Sequence, residues 1–330
     1  MTPFAPLAEV RRNGTVESLH GGVVAVADAS GTLLHAWGDP DFVTFPRSSL
    51  KPFQALALVE SGAADGLDDA HVALACASHR AEPFQVAMVE AWLRRLGLTE
   101  SALVCGPAYP AGEADAHAAI RGGPKRRVFH NCSGKHCGFL HACAAMGAPS
   151  AGYERPDHPA QRHWTAAFSD LLRRDASALP AGTDGCGLPA LALPVGDMAR
   201  AAARYAAADV PDPRRAAAIR RVLGALTAHP DHVSGRDSPT SKVVRAAGGQ
   251  LAMKVGAEGF VVGFLPRQGL GLAIKLADGA SRGKMAVLAT LLGRLGVLAP
   301  DRAAELAAAV EDPINDSNGQ RAGEVAAVLE

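Results

Sequence analysis

The order of strand-like and helical segments constrains the fold of this chain more than any single motif. Short apolar runs bounded by turn residues occur before residue 45 and after residue 250, and helical periodicity dominates between them. Segments far apart in sequence can share one sheet when the intervening chain packs as a separate layer. We therefore expect an α/β (α+β) fold whose sheet combines N- and C-terminal strands around a mostly helical middle lobe.

The individual elements follow from apolar spacing and from glycine and proline breaks. The predicted strands are residues 22–27 and 32–37, which form a hairpin around the turn at 28–31, and residues 250–255, 260–265 and 270–276. The predicted helices are residues 48–61, 84–96, 136–146, 159–174, 188–206, 212–228, 281–296 and 301–310. The tail from Glu311 onward is predicted to be irregular.

A chain of 330 residues can bury a substantial core in one domain or in two. No internal repeat and no low-complexity linker interrupts it. We expect residues 1–330 to form a single unit with two lobes. The sheet lobe covers about residues 8–45 and 250–330, and the mostly helical lobe covers about residues 46–249.

Charge and composition argue against several classes of partner. Lys plus Arg and Asp plus Glu each total 33, and aromatic residues make up only 5%, so neither nucleic acid nor an anionic membrane is favoured. No run reaches the ~18 apolar residues of a membrane helix, and the N-terminus lacks the pattern of a secretory signal. We expect a cytoplasmic protein whose six cysteines are thiols or metal ligands.

Ser48 and Lys51 form a Ser-x-x-Lys motif directly before Pro52. Proline is accommodated in the first turn of a helix, so the helix is predicted to begin near Ser48, with Lys51 on the same face. A desolvated lysine can accept the proton of such a serine and activate it as a nucleophile. The alternative is an N-cap serine with a solvated first-turn lysine, and Ser281 and Lys284 have the same spacing with no further support.

A second lysine follows a late strand. Lys254 lies at the end of the predicted strand 250–255, next to Gly256. A strand lysine combined with a helical Ser-x-x-Lys motif is the layout of the penicillin-recognising serine hydrolases. The alternative is a lysine that protects an exposed sheet edge from pairing. The motifs alone thus predict a Ser–Lys hydrolase.

Two loops are rich in cysteine and other reactive side chains, at residues 129–137 and 184–187. Neither has the CxxC…CxxC spacing of a structural zinc finger. Two thiolates from separate loops and a third group could still bind one zinc ion, whereas the alternative is that these cysteines are small buried apolar side chains. The glycine frame of a phosphate-binding loop is missing, which argues against a nucleotide site.

Six stretches taken together resemble one family, in the right order between about residues 8 and 290. The stretches are residues 45–52, 75–79, 131–136, 157–159, 184–187 and 254–259. On these stretches the chain is similar to the zinc-containing L-asparaginases of the Rhizobium etli inducible type, also called class 3.

The resemblance implies a fold similar to serine β-lactamases and glutaminases. It also implies hydrolysis of L-asparagine to L-aspartate and ammonia by two Ser–Lys pairs. The first pair is Ser48 with Lys51, and the second is Ser78 with Lys254. In this mechanism Ser48 is the nucleophile, Lys51 is its base, and the second pair relays protons.

The resemblance further implies a zinc ion bound by Cys132, Lys135 and Cys186. Lysine is an unusual zinc ligand because its nitrogen must be neutral to donate, and without the resemblance Lys135 reads as a surface residue. Arg47 and Asp184 lie within the matching stretches, and we expect them to bind the charged α-groups of the substrate. A homodimer is the assembly that the family suggests.

The sequence departs from the family pattern close to Ser78. Arg80, Ala81 and Gln85 stand where a small residue, a glycine and a histidine are more usual, and these changes concern substrate fit more than the chemistry. Two other functions remain open at this point. One is a glutaminase or another serine amidase of the same fold, and the other is a non-catalytic homologue that binds an amino acid or zinc.

Overall fold

The computed structural model of the chain describes residues 2–311 and 313–329. It divides into two compact units. Unit 1 consists of Met1–Ser49, Leu193–Ala207 and Lys242–Glu330, and unit 2 consists of Leu50–Ala192 and Ala208–Ser241. Within the described residues, no helix combines the length and the apolar character needed to cross a membrane.

The strands, in chain order, are β1 (Ala5–Arg12), β2 (Thr15–Asp28), β3 (Leu33–Trp37), β4 (Val43–Thr44), β5 (Ala181–Thr183), β6 (Pro189–Leu191), β7 (Leu193–Pro194), β8 (Ala252–Val255), β9 (Phe260–Leu265), β10 (Leu270–Leu276), β11 (Ile314–Asn315) and β12 (Arg321–Ala327). The helices are α1 (Lys51–Gln54), α2 (Leu56–Glu60), α3 (Asp69–Ala75), α4 (Pro83–Arg95), α5 (Glu113–Gly122), α6 (Ser133–Met146), α7 (Pro159–Leu172), α8 (Val195–Ala207), α9 (Pro213–Ala228), α10 (Pro230–Ser234), α11 (Pro239–Ala246), α12 (Lys284–Arg294) and α13 (Pro300–Ala309).

Unit 1 is built on an antiparallel sheet with the strand order β11-β12-β1-β2-β10-β9-β8, and β3 also pairs with β2. Its core contains the apolar residues of β2, β9 and β10 together with those of α12. Helix α8 packs closely on β10 because Gly271 has no side chain, and a Cβ there would lie 2.0 Å from the backbone nitrogen of Ala203. The predicted α/β (α+β) fold with a sheet of N- and C-terminal strands is confirmed.

Unit 2 is mostly helical and contains α1–α7, α9 and α10, with the small sheet β5–β6. Helices α3 and α6 approach each other closely at Gly134, where a Cβ would lie 2.4 Å from the carbonyl oxygen of Leu74. Because Gly134 follows Cys132 by two residues and Leu74 precedes Ser78 by four, this glycine brings the two loops of interest together.

Most predicted elements are confirmed, but two predictions are wrong. The tail is not irregular, since β12 pairs with β1. Residues 188–194 are not helical but include β6 and β7, and α8 begins only at Val195. Pro194 explains the late start, because a proline disfavours helical backbone at the residue before it.

Candidate active site

The predicted nucleophile lies in a tight turn of unit 1. Residues Arg47–Leu50 form a 3-10 helix, and Arg47 has a φ of +54°, a conformation that non-glycine residues rarely adopt. The Oγ of Ser49 donates a hydrogen bond to the carbonyl oxygen of Lys254 at 3.0 Å. Gly256 makes this approach possible, because a Cβ there would lie 2.3 Å from the carbonyl oxygen of Pro46. The end of β8 therefore lies directly against the turn that carries half-buried Ser48.

Lys254 itself is fully buried, although β8 is the last strand in the order of the sheet. Its Nζ donates a hydrogen bond to the carbonyl oxygen of Val255 at 2.7 Å. A lysine that protects a sheet edge does so by projecting into solvent. The burial of Lys254 is inconsistent with that alternative.

In unit 2, the side chain of Lys51 is also fully buried. Its Nζ donates hydrogen bonds to the Oγ of Ser78, at 2.9 Å, and to the carbonyl oxygen of Ala77. The alternative of a solvated first-turn lysine is therefore wrong. The contacts within each unit join one member of each predicted pair: Lys51 with Ser78 in unit 2, and the turn of Ser48 with the strand of Lys254 in unit 1.

The loop that carries Ser78 is held by its backbone as well. The N–H of Ser78 donates to the carbonyl oxygen of Val233 at 3.0 Å, and the N–H of His79 donates to that of Asn131 at 3.1 Å. Ala81 has a φ of +59°, a second uncommon backbone conformation next to a candidate serine. The loop is thus held at two points, by Val233 and by Asn131, which lies in the cysteine-rich loop at residues 129–137.

His79 is a buried residue of this loop to which sequence reasoning assigned no role. Its Nδ1 accepts a hydrogen bond from the N–H of Ala81 at 3.0 Å, so its Nε2 carries the proton and donates to the Oγ of Ser133 at 2.8 Å. Burial lowers the pKa of His79 to about 3, so the ring is neutral. The only signal in the sequence was its position directly after Ser78.

Cys132, Lys135 and Cys186 lie together in unit 2, with exposed fractions of 3%, 3% and 2%. The Nζ of Lys135 lies 2.9 Å from the Sγ of Cys186. Cys132 directly precedes α6, which carries Lys135, and Cys186 lies in the turn between β5 and β6. The structure therefore brings all three predicted zinc ligands together, and Lys135 is buried rather than on the surface.

The electrostatics of this cluster are those of two thiols that share one proton beside an ammonium group. A hydrogen bond from the Cys186 thiol holds the pKa of Cys132 well below its usual range, and the same bond raises the pKa of Cys186. Burial acts to lower the pKa of Lys135, but the two cysteines and Asp184 together outweigh it and raise that pKa. These pKa directions favour a thiolate on Cys132 beside a charged Lys135.

Two sulfurs and one nitrogen are donors that zinc accepts, and a set of three leaves one position open. Among residues 2–311 and 313–329, no group of three or more His, Cys, Asp and Glu side chains is arranged to hold a metal ion. At the cysteine cluster the third donor is Lys135, and the donor set fits zinc only if Lys135 is deprotonated.

The two predicted substrate-binding residues lie at different places. Asp184 is two residues from Cys186, and its Oδ2 lies 3.6 Å from the Sγ of Cys186. Arg47 belongs to the strained turn before Ser48. Each predicted anchor is thus next to a different candidate group, Arg47 in unit 1 and Asp184 in unit 2.

Comparison with known families assigns the chain to a class of hydrolases that act on amides. The sequence matches the L-asparaginase II family over residues 8–327, and the chain belongs to this family.

The chain is similar to several solved structures at low sequence identity. Mglu in its native form at 4.3 M NaCl has 17% identity and a TM-score of 0.43, with 84% of this chain and 61% of that chain covered. A second native-form Mglu structure has 16% identity and a TM-score of 0.44, with 84% and 65% covered, so this chain spans less than two thirds of either. A beta-lactamase from Mycobacterium bovis has 14% identity and a TM-score of 0.41, with 83% and 94% covered. No curated protein sequence matches the chain.

Proposed function

We propose that the protein hydrolyses the side-chain amide of L-asparagine to L-aspartate and ammonia, as a zinc-containing asparaginase of the Rhizobium etli inducible type. The match to the L-asparaginase II family over residues 8–327 is the observation that carries this proposal. The burial of Lys51 and Lys254 supports it, because a desolvated lysine can act as a proton acceptor.

Ser48 is the proposed nucleophile and Lys51 its base. A neutral amine has two N–H groups and one lone pair. The Nζ of Lys51 donates to the carbonyl oxygen of Ala77 and to the Oγ of Ser78, and in the proposed mechanism its lone pair takes the proton of Ser48.

The reaction then has two steps. The Oγ of Ser48 bonds to the amide carbon, and backbone N–H groups at the start of the helical segment, including that of Ser48, stabilise the oxyanion. The C–N bond breaks, the nitrogen takes the proton from Lys51 and leaves as ammonia. Water hydrolyses the resulting ester, which releases aspartate and restores Ser48. Ser78 and Lys254 relay protons to and from Lys51.

Cys132, Lys135 and Cys186 are the proposed zinc ligands. When bound, zinc supplies a positive charge that orients the substrate, since a serine nucleophile makes a metal hydroxide unnecessary. Arg47 is proposed to bind the α-carboxylate and Asp184 the α-amino group, each by opposite charge. The protein is proposed to act as a cytoplasmic homodimer.

The test is the release of ammonia from L-asparagine, measured beside L-glutamine and a chromogenic β-lactam, with and without added zinc. We expect release from asparagine well above the other two. Preferred turnover of glutamine or of the β-lactam would assign a different serine amidase. A thermal shift with asparagine but no ammonia would instead identify a non-catalytic homologue.

Metal content provides an independent prediction. Freshly purified protein is expected to contain about one zinc ion per chain, as single-site zinc proteins do, and Cys186→Ser should lose it because one thiolate ligand is missing. The measurement is elemental analysis of protein after gel filtration. Cys143→Ser is the matched control, because Cys143 is equally buried but lies outside the cluster. Absence of zinc in the wild type, or its retention in Cys186→Ser, would contradict the ligand assignment.

A further inference from the structure

Gln85 is a fully buried amide whose oxygen and nitrogen both have hydrogen-bond partners. Its exposed fraction is 0%. Its Oε1 accepts from the N–H of Arg80 at 3.2 Å and from that of Glu82 at 3.0 Å, and its Nε2 donates to the carbonyl oxygen of Asp231 at 2.8 Å. Gln85 thus joins the loop after Ser78 to the segment at Asp231.

These bonds close a ring that contains Ser78. Asp231 and Val233 belong to the same short helix, α10. The carbonyl oxygen of Val233 accepts a hydrogen bond from the N–H of Ser78 at 3.0 Å, and Gln85 binds the same helix at a second point, the carbonyl oxygen of Asp231. Ser78 is therefore held to α10 directly, and again through the loop and Gln85.

The loop inside this ring contains the strained residue Ala81, with a φ of +59°. Such a backbone persists only where its surroundings hold it. Gln85 binds the N–H groups on both sides of Ala81, those of Arg80 and Glu82. Loss of this clamp would leave two N–H groups without an acceptor and would allow the loop to relax.

We infer that Gln85 is a positioning residue that keeps the Oγ of Ser78 within hydrogen-bonding distance of Lys51, which is 2.9 Å in the structure. The inference rests on the proposed function for its effect on catalysis. An amide suits this position because one end accepts two bonds while the other donates. A glutamate would place a second acceptor against the carbonyl oxygen of Asp231, and a neutral histidine offers one donor and one acceptor.

The experiment compares Gln85→Glu with Gln161→Glu as a matched control. Gln161 has an exposed fraction of 1%, donates to the carbonyl oxygen of Tyr153 at 2.8 Å and accepts from the Nε1 of Trp164 at 2.7 Å. Both variants should therefore lower Tm to a similar extent. Only Gln85→Glu is expected to lower kcat, by about 100-fold with little change in KM, because small displacements of a proton-transfer group have effects of this size.

Gln85→His is the second variant, and it keeps the inference testable if Gln85→Glu does not fold. It retains one donor and one acceptor, so its kcat should lie between those of the wild type and Gln85→Glu. Hydrogen exchange at the Ser78 amide is the readout that does not need activity. We expect faster exchange in both Gln85 variants than in Gln161→Glu.

The outcomes separate the two hypotheses. Faster exchange at Ser78 without any ammonia release from the wild type would refute the proposed function and leave the positional role of Gln85 standing. An active wild type, with kcat and Ser78 exchange in the Gln85 variants equal to those in Gln161→Glu, would overturn the inference. A rise in KM alone would also overturn it, because Gln85 would then act on substrate binding.

Discussion

Replacing Ser48 by alanine is expected to lower kcat for asparagine hydrolysis by about 10⁴-fold or more, since removal of a serine nucleophile typically has effects of this size. Without its Oγ, no acyl-enzyme can form. The fold should be retained, because Ser48 is only half-buried and the neighbouring Ser49 makes the hydrogen bond to Lys254. The measurements are steady-state ammonia release and thermal unfolding of the same preparation.

Ser281→Ala is the matched control for this variant. Ser281 precedes Lys284 with the same spacing that separates Ser48 from Lys51, but it is exposed and follows a different part of the fold. Its activity should equal that of the wild type. Ser78→Ala gives the decisive comparison, because Lys51 donates its hydrogen bond to Ser78. If activity is retained in Ser48→Ala but abolished in Ser78→Ala, and an acyl-enzyme forms on Ser78, then Ser78 and not Ser48 is the nucleophile.

The candidate residues could be named from the sequence because each lies in a short, dense motif. Their contacts could not be predicted in the same way. The hydrogen bond of Lys51 to Ser78 joins residues 27 positions apart, and that of Lys135 to Cys186 joins residues 51 positions apart. Such contacts depend on tertiary packing. One close approach in this region is at Gly134, where a Cβ would lie 2.4 Å from the carbonyl oxygen of Leu74.

The burial of the lysines could not be predicted from the sequence either. A lysine at a helix start or at a sheet edge is usually solvated, and local sequence gives no sign when it is not. The structure buries both Lys51 and Lys254 and supplies backbone carbonyl partners from Ala77 and Val255. The partner of Lys51 is Ala77, 26 positions away, and only the tertiary fold brings the two together. The partner of Lys254 is the next residue, Val255, but periodicity gives no sign that this lysine is buried.

Elements with strong local signals were predicted well, and those that depend on tertiary pairing were not. The hairpin of β2 and β3 and the strands β8–β10 have compact apolar runs between turns. Strand β12 has small and charged residues without clear alternation and exists through its pairing with β1. No apolar period distinguishes it from a loop, which is why the tail was predicted to be irregular.

A buried ion-pair network in unit 2 leads to the second large prediction. Glu60 accepts hydrogen bonds from the Nε of Arg215 at 2.8 Å and from the Nε2 of His163 at 2.9 Å, and Arg215 also contacts Asp170. The side chains of Glu60 and Arg215 have exposed fractions of 8% and 14%. These contacts connect α2, α7 and α9, so the network joins three helices around the chain that follows Lys51.

Glu60→Gln is expected to lower the free energy of unfolding by about 3 kcal/mol at neutral pH, because it leaves a buried guanidinium partly unpaired. This value lies at the low end of the roughly 3–5 kcal/mol that removing one partner of a buried ion pair costs. The low end applies because Asp170 still pairs with Arg215. The measurement is equilibrium unfolding in urea. Glu305→Gln is the control, since its ion pair with Arg302 is exposed, and its effect should stay within about 0.5 kcal/mol.

The same network predicts how this difference changes with pH. Burial acts to raise the pKa of Glu60, but the hydrogen bonds from His163 and Arg215 outweigh it and lower that pKa below its ordinary value of 4.5. A carboxyl whose pKa is lower in the folded state stabilises the fold above the unfolded pKa, and this contribution is lost as the pH falls through the folded pKa. The difference in free energy of unfolding between the wild type and Glu60→Gln should therefore have its full value at pH 7 and shrink progressively below pH 4.5. A gap that stays constant down to pH 3, or one that widens, would show that the charge of Glu60 does not stabilise unit 2.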